Sequence, residues 1–418
     1  MVMVGFSIVS EALAARTAGR DVLAWHLQDA RARTLALFAA YRQQLGDDLR
    51  VPCTPELNPP LWELGHVGWF ADWWIARNPE RNRGVQADPF AQRAPARQQA
   101  RSIDADALYD SSHVPHDSRW HLPLPPADDT LRDLQASLQH TLDLLSDAPD
   151  TDDGLYFFRL ALFHEDMHAE AAEYMTQTLG LDPFAAGLKP HPARQDGSTP
   201  AAAATVHLPA TRWHFGVPGS GFAFDNECGS LEVDVPAFEI DAAPVNWARY
   251  LPFVEAGGYD DPRWWSPAGW QWRSAQGLHA PRYLRRADRQ GWKQQRWGRW
   301  EPLAPTDAAT HLTAYEAEAW CVWAGRALPT EAQWEVAAHH APGFAWGRVW
   351  EWTATPFAPF PGFMPHPYRD YSAPWFDGRP VLKGASPATA PRMRHPRYRN
   401  YFTPERSDVI TGFRSAST

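Results

Sequence analysis

The sequence predicts an α plus α+β fold: an N-terminal four-helix bundle followed by an irregular α+β domain. Three observations carry that expectation. The first 180 residues contain long runs of Ala, Leu, Arg, Glu and Asp with apolar residues at helical spacing. The remainder is dense in Trp, Gly and Pro and shows short alternating segments instead. Between them GLKPHPARQDGSTPAAAATV, at 187–206, is rich in Pro, Ala and polar residues without periodicity, as a linker is. The expected boundaries are therefore 1–16, 17–186, 187–206 and 207–418.

Taken in order, MVMVGFSIVSEALAA lacks a basic n-region and is broken by Glu11, so residues 1–16 are expected to be a frayed leader, with a signal peptide as the alternative. GRDVLAWHLQDARARTLALFAAYRQQL (19–45) has helical spacing, and PLWELGHVGWFADWWIAR (60–77) starts with a proline, which a first helical turn accepts. DDTLRDLQASLQHTLDLLSD (128–147) begins at acidic capping residues, and DDGLYFFRLALFHEDMHAEAAEYMTQTLG (152–180) ends at Gly180. Four such helices suit an up-and-down bundle. Residues 79–127, rich in Arg, Pro and Ala, are expected to wrap it as a long loop. Past the linker, ATRWHFGV, GFAFDNE and LEVDVPAFEID read as strands, and NWARYLPFVEAGG and TAYEAEAWCVWAGR as the two helices. No repeat of 20–50 residues turns the tryptophans into a propeller or solenoid.

Composition narrows the function. A chain of 418 residues with 44% hydrophobic content can build two or three cores, and no apolar run is long enough to span a bilayer. A cytoplasmic location is expected. The net charge of −10 has its signs interspersed, which leaves no basic footprint for nucleic acid or an anionic membrane. Cys53, Cys228 and Cys321 lack C-x-x-C spacing, so neither a disulfide framework nor a thiolate zinc site is expected. Small-molecule chemistry remains.

The motif that bears on chemistry is HEDMH, residues 164–168, a match to the H-E-x-x-H of zinc proteases. His164 and His168, four apart on a helix, share a face and can share a metal. The downstream third ligand of a zinc protease is missing, because Glu170 and Glu173 lie on the same helix and no H-x-x-G-x-x-H follows. His66, in LWELGHVGWFADWW, supplies a third imidazole from a neighbouring helix. Three neutral nitrogens can hold zinc, copper, nickel or iron and leave coordination positions open. Interior histidines without metal, a zinc-dependent hydrolase or thiol transferase, and a non-catalytic binding module stay as alternatives. Glu165 reads as an exposed residue or an orienting partner instead of a general base.

On these residues the chain resembles the EgtB-like ergothioneine sulfoxide synthases over nearly its whole length. The H…HEDMH arrangement is similar to their DinB-like iron-binding bundle. The second half is similar to their formylglycine-generating-enzyme-like (C-type-lectin-like) domain through GFAFDNE (221–227), FVEAGGY (253–259), RALPTEAQWEVAA (326–338), GRVWEWTATPFAPFPGF (347–363) and RNYFTPERSDVITGFR (399–414). No late cysteine pair is present, which excludes the cysteine and copper chemistry of true formylglycine generators. The resemblance implies iron(II) on His66, His164 and His168, O2 as co-substrate, and a sulfur or selenium donor joined to carbon 2 of the imidazole of hercynine, the trimethylated betaine of histidine. It places the catalytic tyrosine in HPYRDYS, at Tyr368 or Tyr371. The pocket wall falls on Asn400, Tyr401, Phe402 and Arg406, with Arg119 a further donor-binding candidate and Trp350 and Trp352 as scaffold. Aromatic faces for the trimethylammonium group are plentiful among 22 Trp and 12 Tyr.

One departure bears on the donor. Relatives that use γ-glutamylcysteine carry an aspartate where this chain has Phe402, while Arg406 is kept. A neutral aromatic cannot pair with an α-ammonium group, which favours a donor without that amine. LNPPLWELGHVGWFADWW and NYFTPERSDVITGFR look most like the selenoneine synthase branch, which implies a selenosugar donor, 1-seleno-β-D-glucose. An ergothioneine-type enzyme using cysteine or γ-glutamylcysteine as thiol donor is the alternative.

Overall fold

The computed structural model describes residues 8–97, 103–192, 204–217, 220–287 and 291–417. Its first half is helical: α1 (Ile8–Thr17), α2 (Arg20–Leu45), α3 (Pro60–Ala71), α4 (Ala105–Tyr109), α5 (Ala127–Asp147) and α6 (Asp152–Leu179). The long helices α2, α3, α5 and α6 pack on one another as a bundle. Pro60 opens α3, where its missing N–H costs nothing, and the helix runs on through a π-turn at Asp72–Ala76. Thr151 caps α6 by accepting the Gly154 N–H at 3.1 Å, and Gly180 ends it with φ 71°, which suits glycine.

Two local expectations change here. Residues 1–7 of the expected leader lie outside the described residues, but from Ile8 the chain is helical instead of frayed. Ala12 and Ala15 are fully buried, and Arg16 forms a two-pronged ion pair with Glu227 of the second domain at 2.8 Å. The wrapping stretch holds α4, a single turn capped by the Asp104 carboxylate, too short to show a helical period.

Both acidic residues of HEDMH are structural. The Glu165 carboxylate takes Arg31 Nε at 2.7 Å and Nη2 at 3.1 Å, tying α6 to α2. Asp166 takes Arg392 Nε and Nη2 at 2.7 and 2.8 Å, tying the bundle to the second domain. Glu165 is therefore neither exposed nor hydrogen-bonded to a histidine. Removing one partner of a buried pair strands the other charge, so Glu165→Ala should lower unfolding stability by about 3–5 kcal/mol, checked by denaturant titration. Proteolysis by the wild type that disappears in this variant would instead return the residue to a catalytic role.

The second half contains β1 (Thr205–Leu208), β2 (Thr211–Phe215), β3 (Leu231–Val235), β4 (Phe238–Asp241), α7 (Trp247–Glu255), α8 (Pro267–Gln276), β5 (Leu284–Arg286), β6 (Trp292–Arg296), β7 (Arg299–Pro302), α9 (Ala314–Trp323), α10 (Glu331–His340), β8 (Val349–Pro356), β9 (Pro380–Ala385), β10 (Asn400–Tyr401) and β11 (Thr411–Gly412). Its central sheet has the order β10-β9-β8-β11, with β11 parallel to β8 and the other neighbours antiparallel. Strands β1–β4 and β2–β3 form antiparallel pairs, and β5–β6–β7 a meander. GFAFDNE is not a strand: it runs extended into a 3₁₀ turn at Asp225–Glu227. Helices α8 and α10 were not expected. Both are short and tryptophan-containing, and their start signals are Ser266 before Pro267 and the Thr330–Gln333 capping box. Of the expected linker, 193–203 lie outside the described residues and β1 begins at Thr205. Among the described residues no helix is long and apolar enough to cross a membrane.

Candidate metal centre and substrate cavity

The centre is built by α3 and α6. On α3, Glu63 and His66 are three apart and share a face; on α6, His164 and His168 are four apart and do the same. His66 Nε2 lies 3.2 Å from His164 Nε2, which lies 3.1 Å from His168 Nε2. One ligand atom from each imidazole falls within 4.8 Å of the others. Two nitrogens each about 2.1 Å from one ion stand about 3.0–3.4 Å apart, so the spacing suits a shared metal.

The partners on the far side fix which nitrogen faces inward. His66 Nδ1 sits 2.7 Å from the Tyr109 carbonyl, an acceptor only, so Nδ1 carries the hydrogen and Nε2 the lone pair. His168 Nδ1 bonds the Glu63 carboxylate, with the same result. Two inward lone pairs thus flank His164 Nε2, which can donate to one of them at most. A cation satisfies all three. Burial pushes the His66 pKa down to about 3, assisted by His168, and drives that of His164 far down, so both stay in the neutral form that binds metal. Burial alone would raise Glu63, yet His168 beside it holds the carboxyl below its ordinary pKa. Rings are clamped as well: Phe70 stacks on His164 at 3.5 Å between centroids, and Trp62 on His66 at 4.8 Å.

Above the histidines lies a cavity of about 720 Å³ walled by both domains. His164, His168, Tyr368, Tyr371, Asn400, Tyr401, Phe402, Arg406 and Arg119 all line it, and His66 sits behind them in the ligand set. Arg119 is a wall residue: its guanidinium stacks 3.9 Å over Trp62 and donates to Asn58 Oδ1 at 2.9 Å. Trp350 and Trp352 are fully buried scaffold.

The two tyrosines separate. Tyr371 is held by its surroundings, its ring 4.4 Å from Phe224 and its hydroxyl donating to Tyr398 at 3.1 Å. Tyr368 packs edge-on to Phe70 and His164, at 5.0 and 6.2 Å between centroids, and no described residue takes its hydroxyl hydrogen. Burial raises its pKa well above that of an ordinary phenol, so it stays protonated. The Tyr401 hydroxyl donates to the Tyr371 carbonyl, and the Asn400 Oδ1 accepts the Tyr401 N–H at 2.9 Å.

With Phe at position 402, the Arg406 guanidinium finds its acid partner two residues on. Asp408 takes its Nε and Nη2, both at 2.6 Å, and Phe402 lies under it at 5.1 Å. Glu170, passed over in the sequence beyond its failure as a protease ligand, also lines the cavity. Its Oε1 accepts from Tyr174, Trp350 (2.8 Å), Ser386 (2.8 Å) and Thr389 (2.7 Å). Its second oxygen takes no donor among the described residues. Spacing on α6 could have marked it, since Met167, Glu170, Ala171 and Tyr174 form one stripe facing the second domain.

Three converging imidazoles on a helical bundle, roofed by an irregular α+β domain, define a two-domain protein with a candidate metal centre. Residues 193–348 match the sulfatase-modifying factor enzyme 1-like domain. The chain is 32% identical to a hercynine oxygenase of Mycolicibacterium smegmatis, over 95% of this chain and 99% of that one. It is 31% identical to a hercynine oxygenase of Mycobacterium tuberculosis, over 95% and 98%. A formylglycine-generating enzyme of Streptomyces coelicolor is 29% identical over 40% of this chain and 55% of its own. The chain belongs to the EgtB-like hercynine oxygenase family, a family of oxidoreductases.

Proposed function

We propose that this chain joins a selenium or sulfur donor to imidazole carbon 2 of hercynine in an O2-dependent reaction, with iron(II) held by His66, His164 and His168 and a selenosugar, 1-seleno-β-D-glucose, as the donor. The observation that carries it is the convergence of three inward-facing imidazole nitrogens on a cavity walled by both domains, in a chain of this family. Iron(II), when bound, supplies open coordination positions and the electrons for dioxygen chemistry. The protein supplies orientation and protons. Glu63 and the Tyr109 carbonyl keep the ligand nitrogens turned inward. Tyr368, protonated and next to His164, holds a proton at its hydroxyl for a reacting oxygen. The free oxygen of Glu170, among the rings of Tyr174 and Tyr398, suits the trimethylammonium group. The Asn400 amide N–H groups are left for a ligand acceptor.

Donor choice rests on Phe402 and Arg406. Both Asp408 oxygens are engaged by Arg406, so an α-ammonium group set against residue 402 meets a guanidinium and a ring there instead of the carboxylate that an aspartate would offer, with Glu56 as a further acid on the cavity wall. Phe402→Asp should therefore move preference towards γ-glutamylcysteine. An unpaired buried ammonium costs about 1–3 kcal/mol, or roughly tenfold to a few hundredfold in discrimination. Competition between selenoglucose and γ-glutamylcysteine measures it. The reading as a whole is tested by incubating iron(II)-loaded protein with hercynine, O2 and a panel of donors and weighing the product. A product formed from cysteine or γ-glutamylcysteine alone would make it a sulfoxide synthase, and activity with zinc in the absence of O2 would make it a hydrolase.

A further inference from the structure

A second, smaller cavity lies inside the bundle, on the far side of His168 from the reaction cavity. Its volume is about 40 Å³, and it is bounded by α2, α3 and α6. The wall is almost entirely apolar: Leu37, Phe38, Leu64, Val67, Ala172 and Met175. Four polar side chains reach it. The Tyr41 hydroxyl is spent on the Ala172 carbonyl at 2.7 Å, and Glu63 and His168 are bonded to each other. Thr34 Oγ1 is buried without a partner. A confined water needs two to four polar partners, and a space of this kind stays dry and takes small apolar guests such as xenon. A single water occupies about 10–15 Å³ on this measure, so the space is large enough for a diatomic molecule.

The two cavities meet at one partition. Glu63, His168 and Met175 line both of them. Hercynine and a donor bound together in the larger cavity would crowd that approach to the histidines. We propose that the smaller cavity is a docking chamber for dioxygen, which reaches the metal past His168 and Met175 while the organic substrates hold the other side. This rests on O2 being the co-substrate of the reaction proposed above.

The direct test needs no turnover. Crystals of the full-length protein pressurised with xenon should show an atom between α2, α3 and α6, against Leu37 and Val67. Xenon absent from that place, or an ordered water on Thr34 Oγ1 there, overturns the proposal. The kinetic arm uses Ala172→Leu, which fills the space from α6. It should raise KM for dioxygen several-fold, leaving KM for hercynine and iron content unchanged. Loss of iron, or an equal change in both KM values, would show that the cavity only supports His168 and would overturn the proposal. Xenon in place, in a protein that leaves hercynine untouched, would retain a gas-binding chamber and remove the hercynine reading, so the two fail separately.

Discussion

His164→Ala should leave a folded protein that neither retains iron nor turns over. His164 Nε2 is the nitrogen that lies 3.2 and 3.1 Å from the other two ligand atoms, so its loss removes the centre of the set instead of one edge. Metal content after desalting and product by mass are the two readouts. Glu63→Ala probes the layer behind. Without its carboxylate His168 loses the partner that keeps Nε2 turned inward, and such outer contacts are worth about 10–100-fold in metal affinity. Full iron occupancy in His164→Ala would mean that the convergence of the three imidazoles is a packing arrangement.

The second large effect is expected at Tyr368. Loss of a positioned proton donor costs about 10²–10⁴-fold in turnover, so Tyr368→Phe should lower kcat by that order with iron content and hercynine binding intact. Tyr371→Phe removes one hydrogen bond to Tyr398, worth about 0.5–1.5 kcal/mol of stability, and should leave kcat near the wild-type value. Single-turnover rates for the two variants, measured beside binding of hercynine, decide between them. A reversed ranking would assign the proton to Tyr371 and make Tyr368 part of the wall.

The sequence showed the bundle well because its helices are long and periodic, and Pro60 and Gly180 mark two of their ends in the letters themselves; the acidic residues expected to cap 128–147 instead lie in the first turn behind Pro126, which makes no side-chain cap. The His164–His168 pair was equally plain, being four apart on one helix. What joined His66 to it was packing between α3 and α6, which a single sequence suggests only through neighbouring helices. The partners behind the ligands were harder to see. Glu63 had a signal, three residues before His66, whereas the Tyr109 carbonyl has none, because any residue offers a backbone oxygen. Helices α8 and α10 escaped for a different reason: at ten residues each they are too short to show much period, and tertiary packing decides them. Asp408 illustrates the limit for charges. Phe402 announced a missing carboxylate, but that Arg406 would turn to an acid two residues on is a matter of side-chain direction.

Glu170 links events that are otherwise separate. One of its oxygens collects hydrogen bonds from Tyr174 of the bundle and from Trp350, Ser386 and Thr389 of the second domain, while the carboxylate borders the cavity. A cationic substrate bound there and the cohesion of the two halves therefore draw on the same charge. By reciprocity, whatever a bound cation does to that cohesion, the cohesion does to its binding by the same factor. A substitution that loosens the seam far from the histidines is therefore expected to change the affinity for a cation held at Glu170.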